Sequence, residues 1–504
     1  VAENTVEALV VDPAASRRRR AAARPSASRY AWPITGAGVV AAAILLLLLA
    51  RTRPGFDPFG WLVWGQQTLH GNLDLGGAPS WKPLPYLFTV PYALTGQFAL
   101  RLWMVTAAAL DLAGGVFAGR IAYRLVGGDL GGSDRTSRYA PIAAAVFAGA
   151  TVLGLEDYMH YVLSAQSDPM IVTFCLAGID MYLCGRYRWA FAFGVLGSLG
   201  RPEVWPFLGL FTLWAWFKVP SMRVVLCGGI ALIAFMWFGI PWITNGRPDI
   251  AGQLALRSPR ELHQNKVTGT LGRFTELEYL PVWIAAVLTV ALGAVRRNRV
   301  VLALAAGVVV WVIVEIAFAL HGWPALPRYM FEAGGVGGVI AGVGVGWALT
   351  EVPKLRQGLP GWIGIPLVAI LVATLIPAVV GRVRDERVDL KHERGRTTQI
   401  RLLQTTVNTL GGYRFIRSCG EPVTYVEYSS AMAWLMRLNV GKVGYIPSLE
   451  KRRRYPIVLF YPVATGGWIV KPWHIRRAER TRCAGLNASY VVTAQHQSGT
   501  LIRR

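Results

Sequence analysis

Between residues 34 and 380 the chain is a series of long apolar runs broken by short Arg-bearing segments. The runs fall at 34–50, 99–125, 139–155, 167–185, 188–200, 204–217, 224–243, 281–295, 300–320, 331–350 and 362–380. They are continuous rather than alternating, which predicts about 11 transmembrane helices and excludes a porin-type barrel. The runs at 188–200 and 204–217 are short against the roughly 20 residues a bilayer needs, so tilt, a kink or partial re-entry is expected there. Run 34–50 has the character of a signal-peptide core. It lacks a small-residue cleavage site and ends in Arg51-Thr52-Arg53, so it is expected to stay as an anchor.

Both flanks are polar. Residues 1–30 are Ala/Arg-rich, with four arginines at Arg17–Arg20, and are expected to form a disordered basic cytoplasmic tail. Beyond the last run, 423–428 reads as a strand and 429–439 as a helix. Strand-like stretches follow at 443–447, 456–461 and 489–494, predicting a small α/β domain over 381–504. The expected organisation is therefore 1–30, a helical membrane domain over 31–380 with an outer loop at 51–97, and the C-terminal domain.

Charge gives the orientation. Arg124, Arg135 and Arg138, then Arg186 and Arg188, Lys218 and Arg223, Arg296, Arg297 and Arg299, and Lys354 and Arg356 all fall on one side if the basic N-terminus is inside. An odd number of spans then places the C-terminal domain outside the cytoplasmic membrane. Cys419 and Cys483 lie there, and as a pair they suit one disulfide in an oxidising compartment. Cys175, Cys184 and Cys227 lie in apolar runs and are expected to be inert core residues.

Composition narrows the class. Of 504 residues, 53% are hydrophobic and 16% charged, against about 25% charged in a soluble domain. Mean hydropathy is +0.39. A soluble multidomain enzyme, a coiled coil and a disordered scaffold are excluded. The net charge of +24 would suggest nucleic acid in a soluble protein. Here the basic residues gather at segment ends and tails, which favours anionic lipid or lipid phosphate and no nucleic acid.

Candidate chemistry lies at the outer ends of the runs, where an ionisable side chain near hydrocarbon is costly. Asp57, within Gly55-Phe56-Asp57-Pro58-Phe59-Gly60-Trp61, is a candidate general base; as Asp before Pro it also suits a helix cap. Lys82, in Trp81-Lys82-Pro83-Leu84-Pro85, suits either a lipid phosphate or an interfacial anchor. Asp168, before Pro169, again reads as a site carboxylate or a cap. Glu156, Asp157 and His160 could form an acid/base or divalent-metal cluster or a solvated turn. Arg201 either faces a phosphate, which its guanidinium fork fits, or pairs with Glu203. Arg328, before Tyr329, offers a second guanidinium or an interfacial anchor. Glu278, His321 and Glu332 stand at the same side without an assigned role.

Together these motifs resemble the GT-C superfamily of lipid-linked-sugar glycosyltransferases, in particular the branch of protein O-mannosyltransferases and the lipid A aminoarabinose transferase. The resemblance spans residues 34–350. It rests on the acidic residue of the first outer loop (Asp57) and the Lys-Pro-Pro-Leu-like segment (Lys82-Pro83-Leu84-Pro85). Asp168-Pro169, the stretch Gly197-Ser198-Leu199-Gly200-Arg201-Pro202 and the late Arg328-Tyr329 complete it. Pro58 stands where the O-mannosyltransferases usually have Glu, and the second Pro of the Lys-Pro-Pro motif is displaced. The acceptor is thereby left open among glycan, lipid and protein.

The resemblance implies a GT-C-like all-α membrane domain and inverting transfer of a sugar from a polyprenyl-phosphate donor outside the cytoplasmic membrane. Asp57 would be the base, Asp168 a carboxylate that positions the acceptor, the donor sugar or Asp57 itself, and Lys82, Arg201 and Arg328 the phosphate ligands. Two other classes remain open. A flippase or transporter of a lipid-linked sugar would want the same cations but also inverted repeats and midplane charges. Apart from Asp111, Asp180 and Glu315, the runs are nearly free of acids. A non-catalytic envelope-assembly protein would use the basic C-terminal region to grip anionic polymer.

Overall fold

The computed structural model describes residues 31–77, 79, 81–127, 135–256, 261–263, 265–350, 362–446, 456–464, 466–486, 488–492 and 499–503. The expectations for 1–30, for Lys354 and Arg356, and for the basic run Lys451–Arg454 lie outside the described residues.

A helix occupies each predicted apolar run. The first is α1 (Ala31–Ala50), and two shorter helices, α2 (Phe56–Leu69) and α3 (Pro83–Ala93), fill the segment expected to be a loop. Then come α4 (Ala99–Leu125), α5 (Arg135–Leu153), the short α6 (Tyr158–Leu163), α7 (Asp168–Leu183), α8 (Tyr187–Gly200) and α9 (Trp205–Lys218). Next, α10 (Arg223–Ala234) continues through a π turn into α11 (Ile240–Asn245). Two short helices, α12 (Ile250–Ala255) and α13 (Lys266–Thr275), precede α14 (Leu280–Val295), α15 (Arg299–Leu320), α16 (Phe331–Thr350) and α17 (Gly364–Thr409).

The protein is a multi-pass membrane protein. Among the described residues, six helical stretches can each cross a bilayer by length and apolarity, or seven if α13 and α14, bent by 96°, are one broken span. The predicted eleven crossings are thus not reached by length alone. The 16-residue α7 and the 14-residue α8 and α9 fall short of a full crossing.

The bundle centre is α16, which packs against α5, α4, α14 and α15. Apolar burial drives little association between helices in lipid, so close van der Waals packing through small residues does this work. A Cβ added at Gly342 would stand 2.7 Å from Ala148 Cβ and 2.8 Å from the Ala144 carbonyl. We expect Gly342→Leu to separate α16 from α5 and to cost about 3 kcal/mol or more by overpacking, read as a lowered Tm in detergent.

Two expectations are corrected. The last apolar helix does not stop at 380: α17 runs on to Thr409, 46 residues in all. Its second half carries Arg, Leu, Gln and Lys, good helix formers, interspersed with Thr. There Glu393, Thr397, Ile400, Leu403 and Val407 form a buried stripe at helical spacing. Cys227 is exposed on its helix, and Cys175 and Cys184 are only partly buried. An apolar run in a membrane helix has lipid-facing positions as well as core ones, and apolarity alone does not separate them.

Beyond α17, α18 (Gly412–Cys419), α19 (Val426–Met436) and α20 (Arg480–Cys483) accompany a six-stranded sheet. Its strands are β1 (Glu421–Thr424), β2 (Gly444–Tyr445), β3 (Ile457–Pro462), β4 (Gly467–Trp473), β5 (Ala488–Val492) and β6 (Gly499–Arg503), in the order β2-β1-β3-β4-β5-β6. The β1 strand runs parallel to β2 and β3, and the remaining pairs are antiparallel. The predicted strand 423–428 ends at Thr424, and the helix predicted over 429–439 begins at Val426. Tyr428 to Ala433 and Met436 are buried on this helix, and that packing overrides the β preference of Val426 and Tyr428.

Cys419 and Cys483 are disulfide-bonded, 64 residues apart, joining the end of α18 to α20. Replacing both with Ser should cost this region about 2–5 kcal/mol. Faster limited proteolysis C-terminal to residue 410, without a change in the helical core, would register that loss.

Candidate active site

Five proline-marked helix starts supply the site. Asp57 occupies the first turn of α2 next to Pro58, with Gly55 as N-cap. Lys82 is the N-cap of α3, held extended at φ −138°, ψ 112° by the following Pro83. Asp168 opens α7, with Ser167 as N-cap and Pro169 behind it. Arg201 sits between α8 and the 3-10 turn Pro202–Val204 at φ −150°, ψ 138°, a conformation Pro202 favours. Arg328 lies in the turn Pro327–Met330 that leads into α16. Neither Asp57 nor Asp168 caps its helix through its side chain, so the capping reading of both is corrected.

The side chains converge. Asp168 is fully buried, and its Oδ1 accepts from Lys82 Nζ at 3.4 Å and from Arg201 Nη2. Arg328 adds to the positive field at the same carboxylate. Arg201 Nη1 donates to Glu203 Oε1 at 3.2 Å, and its guanidinium lies 4.0 Å from the Tyr329 ring centre. Arg328 Nη2 stands 3.9 Å from Asp57 Oδ2 and faces the rings of Tyr161 and Tyr329. The Lys82 ammonium lies 5.8 Å from the centre of the Trp61 ring, and its Nζ also donates to Ser167 Oγ at 3.3 Å.

Burial holds the Lys82 ammonium below its ordinary pKa, and Asp168 opposes that shift. Burial likewise works against the Arg201 charge, but Asp168, then Glu203 and Glu332, more than offset it and raise its pKa. Three cations thus sit in a poorly solvated place, where electrostatic attraction is stronger than in water. Partial positive charge at the helix N-termini adds to their field.

Exposure separates the two aspartates. The Asp57 side chain is 25% exposed and that of Asp168 is 0% exposed. Only Asp57 can meet an incoming group without rearrangement. Asp168 is committed to cations, which suits a positioning anion for Lys82 and Arg201 rather than a partner of Asp57.

The accessory cluster is not brought together as a metal site. Glu156 pairs with Arg382 of α17, His160 Nδ1 lies 2.8 Å from Asp389 Oδ2 of α17, and Asp157 is exposed in a left-handed turn at φ 59°. Among the described residues no three His, Cys, Asp or Glu side chains are grouped to hold a metal ion. Glu156 and His160 fasten α17 to the segment around α6. Asp180, inside α7, is likewise paired, with Arg120 and Arg124 at 3.1 Å each.

The residues 381–409, read from sequence as the start of a separate domain, bear directly on the site. Arg394 donates to the Leu49 and Ala50 carbonyls, and Arg396 to those of Arg53 and Pro54. Together they fix the chain just before Asp57. On the far side, Asn439 Nδ2 donates to the Asp74 carbonyl at 2.6 Å, and Asn245 Oδ1 accepts from Leu75 N at 2.9 Å. These hold the segment leading to Lys82. The signal for the arginines is the absence of proline between Pro377 and Pro422, which lets a helix continue past 381. The asparagines leave no signal in the sequence.

No protein-family model matches the chain, and no curated protein sequence does. Among the solved structures similar to it are two of one protein. One is ArnT from Cupriavidus metallidurans bound to undecaprenyl phosphate, at 15% identity and a TM-score of 0.48, covering 92% of this chain and 97% of that chain. The other is the same organism's ArnT in the apo state, at 14% identity and a TM-score of 0.48, covering 92% and 96%.

Proposed function

We propose that the protein is an inverting membrane glycosyltransferase that moves a sugar from a polyprenyl-phosphate donor to a cell-envelope glycan, lipid or protein acceptor. The observation that carries this reading is the meeting of Lys82, Arg201 and Arg328 around buried Asp168, with the accessible Asp57 beside Arg328. An anionic leaving group and a general base are both provided for, and apolar helices surround the site for a lipid tail. The sequence motifs at these same five places support the same reading.

In the reaction, Asp57 takes the proton of the acceptor hydroxyl as its oxygen attacks the anomeric carbon. The bond from that carbon to the phosphate oxygen breaks, and its electron pair leaves with the polyprenyl phosphate. The donor phosphodiester carries one negative charge and the product phosphate up to two. Lys82, Arg201 and Arg328 meet that developing charge from fixed positions, which is where preorganised electrostatics lowers a barrier. Tyr329 and Glu203 hold the Arg201 plane. The N-terminus lies on the cytoplasmic side, and the unit formed by 381–504 lies outside with the site.

Purified protein given a panel of radiolabelled polyprenyl-phosphate sugars and a crude envelope acceptor fraction tests this. Release of polyprenyl phosphate with movement of label to acceptor is expected. Folded protein that releases none across the panel would overturn the enzyme reading.

A further inference from the structure

Arg201 has two sides. In front, Nη2 engages Asp168, which also holds Lys82. Behind, Nη1 engages Glu203, and one face of the guanidinium rests on Tyr329. The third edge is unfinished. Nε stands 4.0 Å from Glu332 Oε1, and neither atom makes a hydrogen bond. Both side chains are almost fully buried, at 4% and 2% exposed. Glu332 is fixed in the first turn of α16. A charge-assisted hydrogen bond is shorter by roughly 1 Å, and buried partners left apart cost free energy. A small swing of the guanidinium closes the gap.

The front of Arg201 is also where a phosphate must bind, since Asp168 is the anion that occupies it at rest. A phosphate taking those N–H donors draws Arg201 away from Asp168. We propose that Glu332 is a positioning residue for Arg201, accepting its Nε–H when the donor phosphate takes over the donors shared with Asp168. Glu203 and Glu332 then keep the guanidinium aligned from behind while its front stabilises the leaving group. This rests on the reading of the site as a polyprenyl-phosphate site.

Positioning by Glu332 and its bare charge act on phosphate binding with opposite signs. Glu332 is an acid near the phosphate site, so acting through charge alone it would repel the ligand. Its neutralisation would then tighten binding, equally for Gln and Ala. Positioning predicts the reverse, and a gradation, because Gln keeps an acceptor oxygen and Ala does not.

The test is the Kd of the full-length protein for undecaprenyl phosphate in detergent, with turnover measured alongside. Loss of a buried hydrogen bond to a charged group is worth about tenfold or more. Glu332→Ala should weaken binding by about that factor and lower kcat more than it raises KM, with Glu332→Gln intermediate. In an Arg201→Lys background, which has no Nε–H, the Glu332 substitutions should change Kd by less than about twofold. Tighter binding in both variants, a Glu332→Ala Kd within about twofold of wild type, or an undiminished effect in the Arg201→Lys background would each overturn the proposal. Glu332→Gln is nearly isosteric and carries the sign test if Glu332→Ala does not fold. Wild type that does not bind undecaprenyl phosphate would overturn the underlying site reading, before any variant is compared.

Discussion

Asp57→Asn should lower sugar transfer by about 10²–10⁴-fold, the usual worth of a positioned general base, while the protein still binds undecaprenyl phosphate. The amide keeps the shape of the side chain but cannot take the acceptor proton. Its neighbours predict the second half of that result. Among the described contacts Asp57 meets the cations at Arg328, at 3.9 Å, and Lys82 and Arg201 are anchored on Asp168 instead. Removing the Asp57 charge therefore leaves the phosphate ligands in place and frees Arg328 of an anionic neighbour. Binding at least as tight as wild type, within about threefold, is expected beside the lost turnover. Asp57→Asn retaining more than about a tenth of wild-type transfer would remove Asp57 as the base. Loss of both binding and transfer would mean that Asp57 organises the cations rather than acting on the acceptor.

Much of this site is legible in the sequence because proline marks it. Lys82-Pro83, Asp168-Pro169, Arg201-Pro202, Asp57-Pro58 and Pro327-Arg328 each join an ionisable residue to the residue type that starts a helix. Polar groups at helix starts on one side of a membrane have few places to go except the same interface. The pairing is what the linear pattern does not carry. Glu203, two residues from Arg201, is the partner that spacing suggests, and it is one. Asp168 is the larger partner, and it comes from a segment 33 residues away. Glu332 reads along the chain only as an acid at the outer side. Its relation to Arg201 depends on how α16 threads the bundle, and close glycine contacts rather than any local pattern set that path.

The helices themselves are legible by apolarity, and their ends mostly by proline and arginine. The two larger differences fall where that signal changes meaning. The apolar half of α17 passes into a charged half across Gly381 without breaking the helix, so a change in hydropathy imitates the end of a helix. Apolar runs also conceal which residues face lipid, as exposed Cys227 illustrates. In water the solvated face of a helix announces itself by polarity; in lipid it does not.

The other large expected effect is at Arg201, and charge and shape can be separated there. Arg201→Met would leave buried Asp168 with Lys82 as its remaining direct ion-pair partner, and Glu203 and Glu332 without the guanidinium beside them. Breaking a buried ion pair from one side costs about 3–5 kcal/mol, so this variant should be poorly folded or show a much lower Tm in detergent. Arg201→Lys keeps the positive charge and should recover most of that stability. A lysine ammonium is a compact point charge, however, and cannot span Asp168 and Glu203 while lying flat on Tyr329. Transfer by the folded Arg201→Lys protein should therefore fall by about 10²-fold or more, as when one preorganised donor is lost from a charge-stabilising site. Stability and activity that recover together in Arg201→Lys would mean that charge alone is required. Stability without activity would mean that the planar fork, held by carboxylates and a ring, is what the leaving phosphate needs.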